Sequence, residues 1–515
     1  LNNIYKEVLT PAEEKFERWR KGVGLVAGPV LFLVLYLSPV GNVTEEVHKL
    51  TAVLAFVLVF WLTEAVPLPV TALLGAILNI LLGVGAAKAV LAPFAHPLVF
   101  LFIGSFILAE AITLHGLDRR FAFAIFSIKS LQKSPLRILF AIGAVSACAS
   151  MWISNTASTA MMLPIALGVL GAMREIGEKS ENGSNGGGSN EFRYGAFFTA
   201  MMLMVAYGSS VGGIATPVGS PPNMIGIGMI EELIGTKISF FEWMSFALPI
   251  VVVMFIYLFF VLGVITPFGK LDLTGIGEYV ASARRELGQW SRAEKNTAFC
   301  FAVAVTLWVL PSLVGLALGK EHDLARLLST RLNSGVVAIL AASLLFLLPV
   351  SFKRREYTMQ WERAVKIDWG TILLFGGGLS LGSLMFSTGL AANLGEFLTS
   401  VTGAESLWAI TAISVAFAII LSEATSNTAS ANMVIPVVIA TAQGMGVSPM
   451  LPAIGACLGA SFGFMLPVST PPNAIVYGSG LVTILQMVKK GIFFDIGGFI
   501  IIMVSLMLLR PIMGW

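Results

Sequence analysis

Apolar residues in this 515-residue chain come in uninterrupted blocks of about 20, the length that crosses a hydrocarbon core as a helix. In lipid a backbone must satisfy its own hydrogen bonds, so such blocks fold as helices. Alternating ten-residue strands are absent, which excludes an outer-membrane barrel. Composition agrees: 56% of residues are hydrophobic and 12% are charged, where a water-soluble chain carries about twice that charge. A net charge of +3 gives no reason to expect nucleic acid as a partner.

The apolar spans fall at roughly 22–40, 50–67, 70–87, 97–116, 195–230, 243–268, 296–318, 333–350, 371–390, 450–485 and 492–514. Between them, 118–133 mixes Arg119, Arg120, Lys129 and Lys133 with aromatics, a pattern for a helix lying on the membrane surface. The Gly/Ser/Asn stretch 178–191 reads as a flexible loop. Two pairs of arms, 138–153 with 157–173 and 407–425 with 429–445, are short for crossing, and each pair is joined at a polar kink. They are expected to be re-entrant hairpins. The fold class is then an all-α polytopic membrane protein with about 11 transmembrane helices plus two hairpins.

Charge supports this count. With the N-terminus in the cytoplasm, the inside loops hold Arg119 to Arg137, Arg174 to Arg193, Lys270 to Arg292, Lys353 to Lys366, and Lys489 with Lys490. The stretches 391–406 and 443–450 fall outside and contain no Lys or Arg. One outside loop, with Lys320, Arg326 and Arg331, runs against the rule. Residues 1–21 read as a cytoplasmic amphipathic lead-in rather than a signal peptide. A multi-pass protein of an inner or plasma membrane is expected, with its C-terminus outside. Cys148, Cys300 and Cys457 all lie in apolar runs and are expected to be buried free thiols.

The chain also repeats itself. Ser150-x-x-x-Ser154-Asn155-Thr156-Ala157-Ser158 recurs as Ser422-x-x-x-Ser426-Asn427-Thr428-Ala429-Ser430. Pro217-Val218-Gly219-Ser220-Pro221-Pro222-Asn223 recurs as Pro467-Val468-Ser469-Thr470-Pro471-Pro472-Asn473. With the first hairpin opening inside and the second outside, the two repeats have inverted topology, an architecture that places substrate and ions at the midplane between broken helices.

Each motif interrupts an apolar helix with Ser, Asn, Thr, Gly or Pro, residues that cap or begin helices. A new helix should start after each of the four breaks. Each N-terminus offers free N–H donors and roughly half a positive charge, so four aimed at one point suit a dianion. The helices that end there offer carbonyls, which with hydroxyl and amide oxygens suit a hard cation such as Na⁺. No Lys, Arg or His occurs in 138–173, 195–230, 407–445 or 450–485, so these segments supply a dianion with no cation of their own. Glu423 is the one acid near a motif; it supports a cation or reaches interfacial water. Glu64, beside Pro67 and Pro69, reads as structural.

These hairpin tips and paired Pro-Pro-Asn breaks, with Trp61-Leu62-Thr63-Glu64-Ala65-Val66-Pro67-Leu68, resemble the divalent anion/sodium symporters, which include INDY-type di- and tricarboxylate carriers. The resemblance runs from about residue 22 to the end. It implies a homodimer working as an elevator-type carrier: scaffold in 1–135 and 269–405, transport unit in 136–268 and 406–515. By motif match, one sodium site would use Ser150, Ser154, Asn155 and Gly219. The other would use Ser422, Ala424 or Thr425, Asn427 and Ser469. Substrate would touch Asn155, Thr156, Ser220, Asn427, Thr428, Thr470 and Pro471. The helices at 118–133 and about 391–403 match the family's horizontal arms between scaffold and moving unit. Sodium-coupled symport of a C4-dicarboxylate (succinate, malate, fumarate) or a related di- or tricarboxylate is the expected activity. An obligatory dicarboxylate exchanger or a sulfate carrier of the same fold is the alternative. An enzyme would need a nucleophile with a base, or clustered His and acids, and the broken segments hold neither.

Overall fold

The structure, a computed structural model, describes residues 11–38, 43–181, 187–266, 268, 271, 273, 275–402 and 406–514. Every expected span has its helix: Pro11–Leu37, Glu45–Thr63, Leu68–Leu81, Pro97–Leu114, Phe240–Phe259, Arg292–Leu318, Ser334–Leu347, Trp369–Thr388 and Ile484–Met513 are single helices. Two spans are broken, Gly187–Gly213 with Pro221–Ile234 and Met450–Gly459 with Pro471–Tyr477. Among the described residues ten helices are long and apolar enough to cross a membrane. Leu68–Leu81, Pro135–Ser150 and Met450–Gly459 are apolar but shorter. Large apolar side chains such as Val26, Leu33, Ile256 and Leu316 stay exposed on the outer helices, as a lipid-facing surface requires.

The first hairpin is Pro135–Ser150 with Asn155–Glu181, the second Leu407–Ala424 with Asn427–Gly444. The helices after the breaks begin where the residue types dictate. Ser154 and Ser426 cap them, each accepting a backbone N–H at 3.2 Å, from Ala157 and Ala429. Ser220 (φ −142°, ψ 138°) and Thr470 (φ −144°, ψ 147°) are extended because proline follows, and proline then starts the helix.

Four local expectations change. The expected loop 178–191 is helical at both its ends, up to Glu181 and from Gly187, and 182–186 lie outside the described residues. The surface helix is Leu117–Phe126, followed by a 3₁₀ turn Leu131–Lys133 rather than one element. Pro349–Ser351 pairs with Glu356–Tyr357 as a two-stranded ribbon. Cys148 is exposed, while Cys300 and Cys457 are buried as expected.

Packing interleaves the two halves. Each hairpin lies against the broken span of its own half, Pro135–Ser150 on Gly187–Gly213 and Leu407–Ala424 on Met450–Gly459. The second part of each broken span then crosses over. Pro221–Ile234 packs on Asn427–Gly444 and Met450–Gly459, and Pro471–Tyr477 packs on Asn155–Glu181 and Gly187–Gly213. All four breaks therefore belong to one packed body.

Candidate binding site at the four helix breaks

The repeated residues make repeated bonds. Ser150 Oγ donates to Asn155 Oδ1 at 2.7 Å, and Ser422 Oγ to Asn427 Oδ1 at 2.7 Å. Ser158 Oγ reaches Ser146 O at 2.9 Å, and Ser430 Oγ reaches Ala418 O at 2.9 Å. At the broken spans Asn223 Nδ2 donates to the carbonyls of Gly213 (2.8 Å) and Thr216 (2.7 Å). Asn473 Nδ2 does the same to Gly463 (2.8 Å) and Leu466 (2.9 Å). Each asparagine thus ties the unwound segment back to the helix that follows it, holding carbonyls whose helical partners are gone.

Oxygen atoms crowd each tip. At the first, a β-carbon on Gly213 would overlap Asn155 Oδ1 and lie 3.1 Å from Gly219 O. One on Gly219 would lie 2.5 Å from Gly213 O and 2.9 Å from Ser150 O. Four oxygens, from Ser150, Asn155, Gly213 and Gly219, therefore surround a space that only glycine leaves open, and carbonyl and amide oxygens are the donors a hard cation takes. At the second tip a β-carbon on Gly463 would lie 3.1 Å from Ser422 O and 3.2 Å from Asn427 Oδ1. The first set of four oxygens fits Na⁺; at the second tip two oxygens of the same kinds meet.

The anion-facing candidates differ in access. Thr156 and Pro471 are exposed, Asn155, Asn427 and Thr428 are half-buried, and Ser220 and Thr470 are buried. Thr470 Oγ1 caps its helix by accepting from Asn473 N at 3.4 Å. Ser220 Oγ is buried without a hydrogen-bond partner and stays available to a ligand. Helices of 27, 14 and 18 residues start at Asn155, Pro221 and Asn427, but the one at Pro471 has 7. Its dipole is correspondingly smaller, so the summed positive charge is below the four-helix figure.

Of its two expected roles, Glu423 does not reach interfacial water. It is 5% exposed. Its Oε1 accepts the N–H groups of Phe464 (2.5 Å) and Met465 (2.9 Å), and its Oε2 accepts Ser469 Oγ (2.7 Å). It therefore braces the unwound segment of the second broken span. Ser469 Oγ also reaches Glu423 O at 3.0 Å. Thr425 Oγ1 donates to Trp61 O at 3.4 Å.

Residue-by-residue reading missed Arg20. Its Nη1 donates to Ala424 O at 3.2 Å, and its Nη2 pairs with Glu17 (2.9 Å) and Glu64 (3.3 Å). The fold thus brings a cation to the second tip although the four segments carry none. Two carboxylates already pair with it. Glu64, at positive φ (48°), pairs with Arg20. The carbonyls of Gly213 and Gly463 were foreseen only as unnamed helix ends.

Residues 19–515 match the model of the sodium:sulfate symporter transmembrane region. The sodium-dependent dicarboxylate transporter SdcS of Staphylococcus saprophyticus is 32% identical over 497 residues, 96% of this chain and 92% of that one. SdcS of Staphylococcus aureus is 31% identical over 494 residues, covering 95% and 91%. Among solved structures, the YdaH transporter of Alcanivorax borkumensis (TM-score 0.52, 13% identity, covering 97% and 98%) and Neisseria gonorrhoeae MtrF (0.52, 12%, 92% and 96%) share the fold. The match to the family model over nearly all of the chain, with the duplicated Ser-Asn-Thr and Pro-Pro-Asn breaks, shows that this chain belongs to the sodium:sulfate symporter family, the divalent anion/sodium symporters.

Proposed function

We propose that the chain carries C4-dicarboxylates such as succinate, malate or fumarate across a membrane by symport with sodium, as a carrier and not an enzyme. The relatives named for sodium-dependent dicarboxylate transport support the substrate and the ion, aligning over nearly all of this chain. The observation that carries the reading is the pair of oxygen cages at Asn155 and Asn427, beside helix N-termini and without a free basic side chain among the described residues. Moving an unpaired dianion out of water costs several kcal/mol or more, so bound cations must neutralise what helix ends do not. Sodium is cargo here as well as counter-charge.

In this reading one sodium lies among Ser150, Ser154, Asn155 and Gly219, and the other among Ser422, Ala424 or Thr425, Asn427 and Ser469. Asn155, Thr156, Ser220, Asn427, Thr428, Thr470 and Pro471 face the anion. The hairpins and both broken spans move together as an elevator against the remaining helices, in a homodimer. The interleaved packing of the four breaks supports a single moving body. Because coupling is reciprocal, sodium raises substrate affinity and substrate raises sodium affinity equally. Each cation moved beyond the anionic charge adds about 2.3 kcal/mol of drive per 100 mV.

Uptake of labelled succinate into proteoliposomes, with and without an inward sodium gradient, tests the reading. Strong stimulation by sodium is expected; sodium-independent uptake that requires internal dicarboxylate would establish an exchanger instead. The proposed topology, N-terminus cytoplasmic and C-terminus outside, is tested by single cysteines. One at Gly183 should label only from the cytoplasm and one at Gly446 only from outside. Labelling of both from the same side ends the inverted arrangement.

A further inference from the structure

Four helix ends meet around the two-stranded ribbon Pro349–Ser351 with Glu356–Tyr357. Ser334–Leu347 ends just before it and Trp369–Thr388 begins shortly after it. The end of Pro97–Leu114 and the first turns of Arg292–Leu318 hold its base through Thr358, which is 1% exposed. The Thr358 carbonyl accepts from His115 Nε2 at 2.7 Å. Its hydroxyl accepts from Asn296 Nδ2 at 2.8 Å and donates to Leu348 O at 2.9 Å. Asn296 Nδ2 also reaches Pro349 O at 3.3 Å. The base of the connection is therefore fastened, level with the ends of apolar helices.

Its outer part is the opposite. Phe352, beside the turn, is 78% exposed, and Trp361 is 66% exposed. With them stand five exposed cations, Lys353, Arg354, Arg355, Arg363 and Lys366, against two acids, Glu356 and Glu362. Arg354 lies 4.0 Å from Glu356, and among the described residues the other four cations make no ion pair. In water such a turn would expose aromatic surface at a cost and hold like charges side by side. At the level of lipid headgroups both features are favourable: aromatic rings settle in the interface, and cations meet phosphate. Trp369, the first residue of its helix and 46% exposed, marks the same level.

We propose that residues 352–355 and 361–366 form a docking surface for anionic phospholipids. Phe352 and Trp361 enter the membrane interface, and the cations gather phosphate headgroups of the adjoining leaflet, the arginines by two N–H groups at once. The fastened base keeps this surface at a fixed height beside the helix ends. The inference needs only that the flanking helices cross a membrane; it does not depend on what the protein carries.

Lipid binding to the full-length protein, delipidated in detergent, decides this. Bound phosphatidylglycerol and bound phosphatidylcholine are counted by native mass spectrometry as each is titrated in. The wild type should take phosphatidylglycerol about tenfold more tightly, with a preference that falls as ionic strength rises. Lys353→Gln, Arg354→Gln and Arg355→Gln together should cut that preference to about threefold or less. Phe352→Ser with Trp361→Ser keeps every charge, and so the orientation that the loop charges favour, and should weaken binding of both lipids about threefold. Arg284→Gln with Arg285→Gln, on Ile276–Glu286, should leave the preference unchanged. Equal binding of the two lipids by the wild type overturns the proposal. So does a preference that survives the three glutamines or disappears with the Arg284 and Arg285 pair. Should the glutamine variant fail to fold, the serine pair decides, and undiminished phosphatidylglycerol binding by it overturns the proposal too. A soluble protein bound through these residues, with no lipid preference, would overturn it in favour of a protein partner.

Discussion

At the first hairpin tip the Ser150 hydroxyl bonds Asn155; at the second, Ser422 bonds Asn427 and also the Ala460 carbonyl at 2.9 Å. Opposite the first tip stands Gly219, contributing only backbone, while the matching Ser469 is held by Glu423. Met151 occupies the place of Glu423 in the first repeat, and its carbonyl accepts from Thr216 of the same half. The second tip is held from outside its half as well, by Arg20 at Ala424 O and by Trp61 O at Thr425. One cage is thus made of small residues and backbone within its own repeat. The other depends on the side chains of Glu423 and Arg20 and on distant helices, so its geometry is open to influence from the rest of the protein.

The largest effect should come where the tips are alike. Asn155→Ala and Asn427→Ala each remove an amide oxygen from a cage and, in the proposed reading, N–H donors from the anion; Asn155→Ala also orphans the Ser150 hydroxyl, whereas Ser422 keeps Ala460 O as a partner. Both should reduce sodium-driven succinate uptake by about a hundredfold or more while yielding folded, extractable protein. Near-normal uptake by one of them would mean that only the other tip binds ligand, and the comparison would lose its basis.

Exchanging the residues that differ sharpens it. Gly219→Ser places a β-carbon 2.5 Å from Gly213 O and 2.9 Å from Ser150 O, in the middle of the first cage. Ser469→Gly removes a hydroxyl from the second, leaves room, and takes one of three donors from Glu423. We expect Gly219→Ser to cost about thirtyfold or more in apparent sodium affinity and Ser469→Gly about tenfold. Sodium titrations of uptake measure both, and the reverse order would show that the two cages are not built as described.

What was legible in the sequence was local. Pro221 and Pro471 dictate extended residues before them and helix starts after them, and Ser154 and Ser426 dictate caps, so the four breaks could be read from residue type and spacing alone. The repeat added the expectation that one tip's bonds recur at the other, and they do. Contacts made by long side chains across the fold left no such trace. Arg20 and Ala424 are 404 residues apart in sequence, and no periodicity joins an amphipathic lead-in to a hairpin tip. Glu423 was visible as an acid near a motif, but its bonds to Phe464 and Met465 depend on how a second unwound segment lies over it.

The smallest effect should come from Arg20, the outermost support of the second tip. Its guanidinium caps the carbonyl end of Leu407–Ala424, where the last carbonyls have no helical partner. The side chain is 16% exposed and shares its charge with Glu17 and Glu64, so the bond to Ala424 O is charge-assisted but open to water from one side. Its loss should cost about 1 kcal/mol, or about fivefold in apparent sodium affinity. Arg20→Ala should therefore transport at a reduced affinity that extra sodium restores, with Arg20→Lys in between because an ammonium reaches the carbonyl without the planar fork. Sodium-titrated uptake of both variants provides the check, with Met151→Leu at the first tip as a control expected to stay near wild type. A loss as complete as that of Asn427→Ala, beyond rescue by sodium, would mean that the guanidinium itself meets the anion. The second tip would then hold a fixed counter-charge, and the need for cations to neutralise the dianion would fall on the first cage alone.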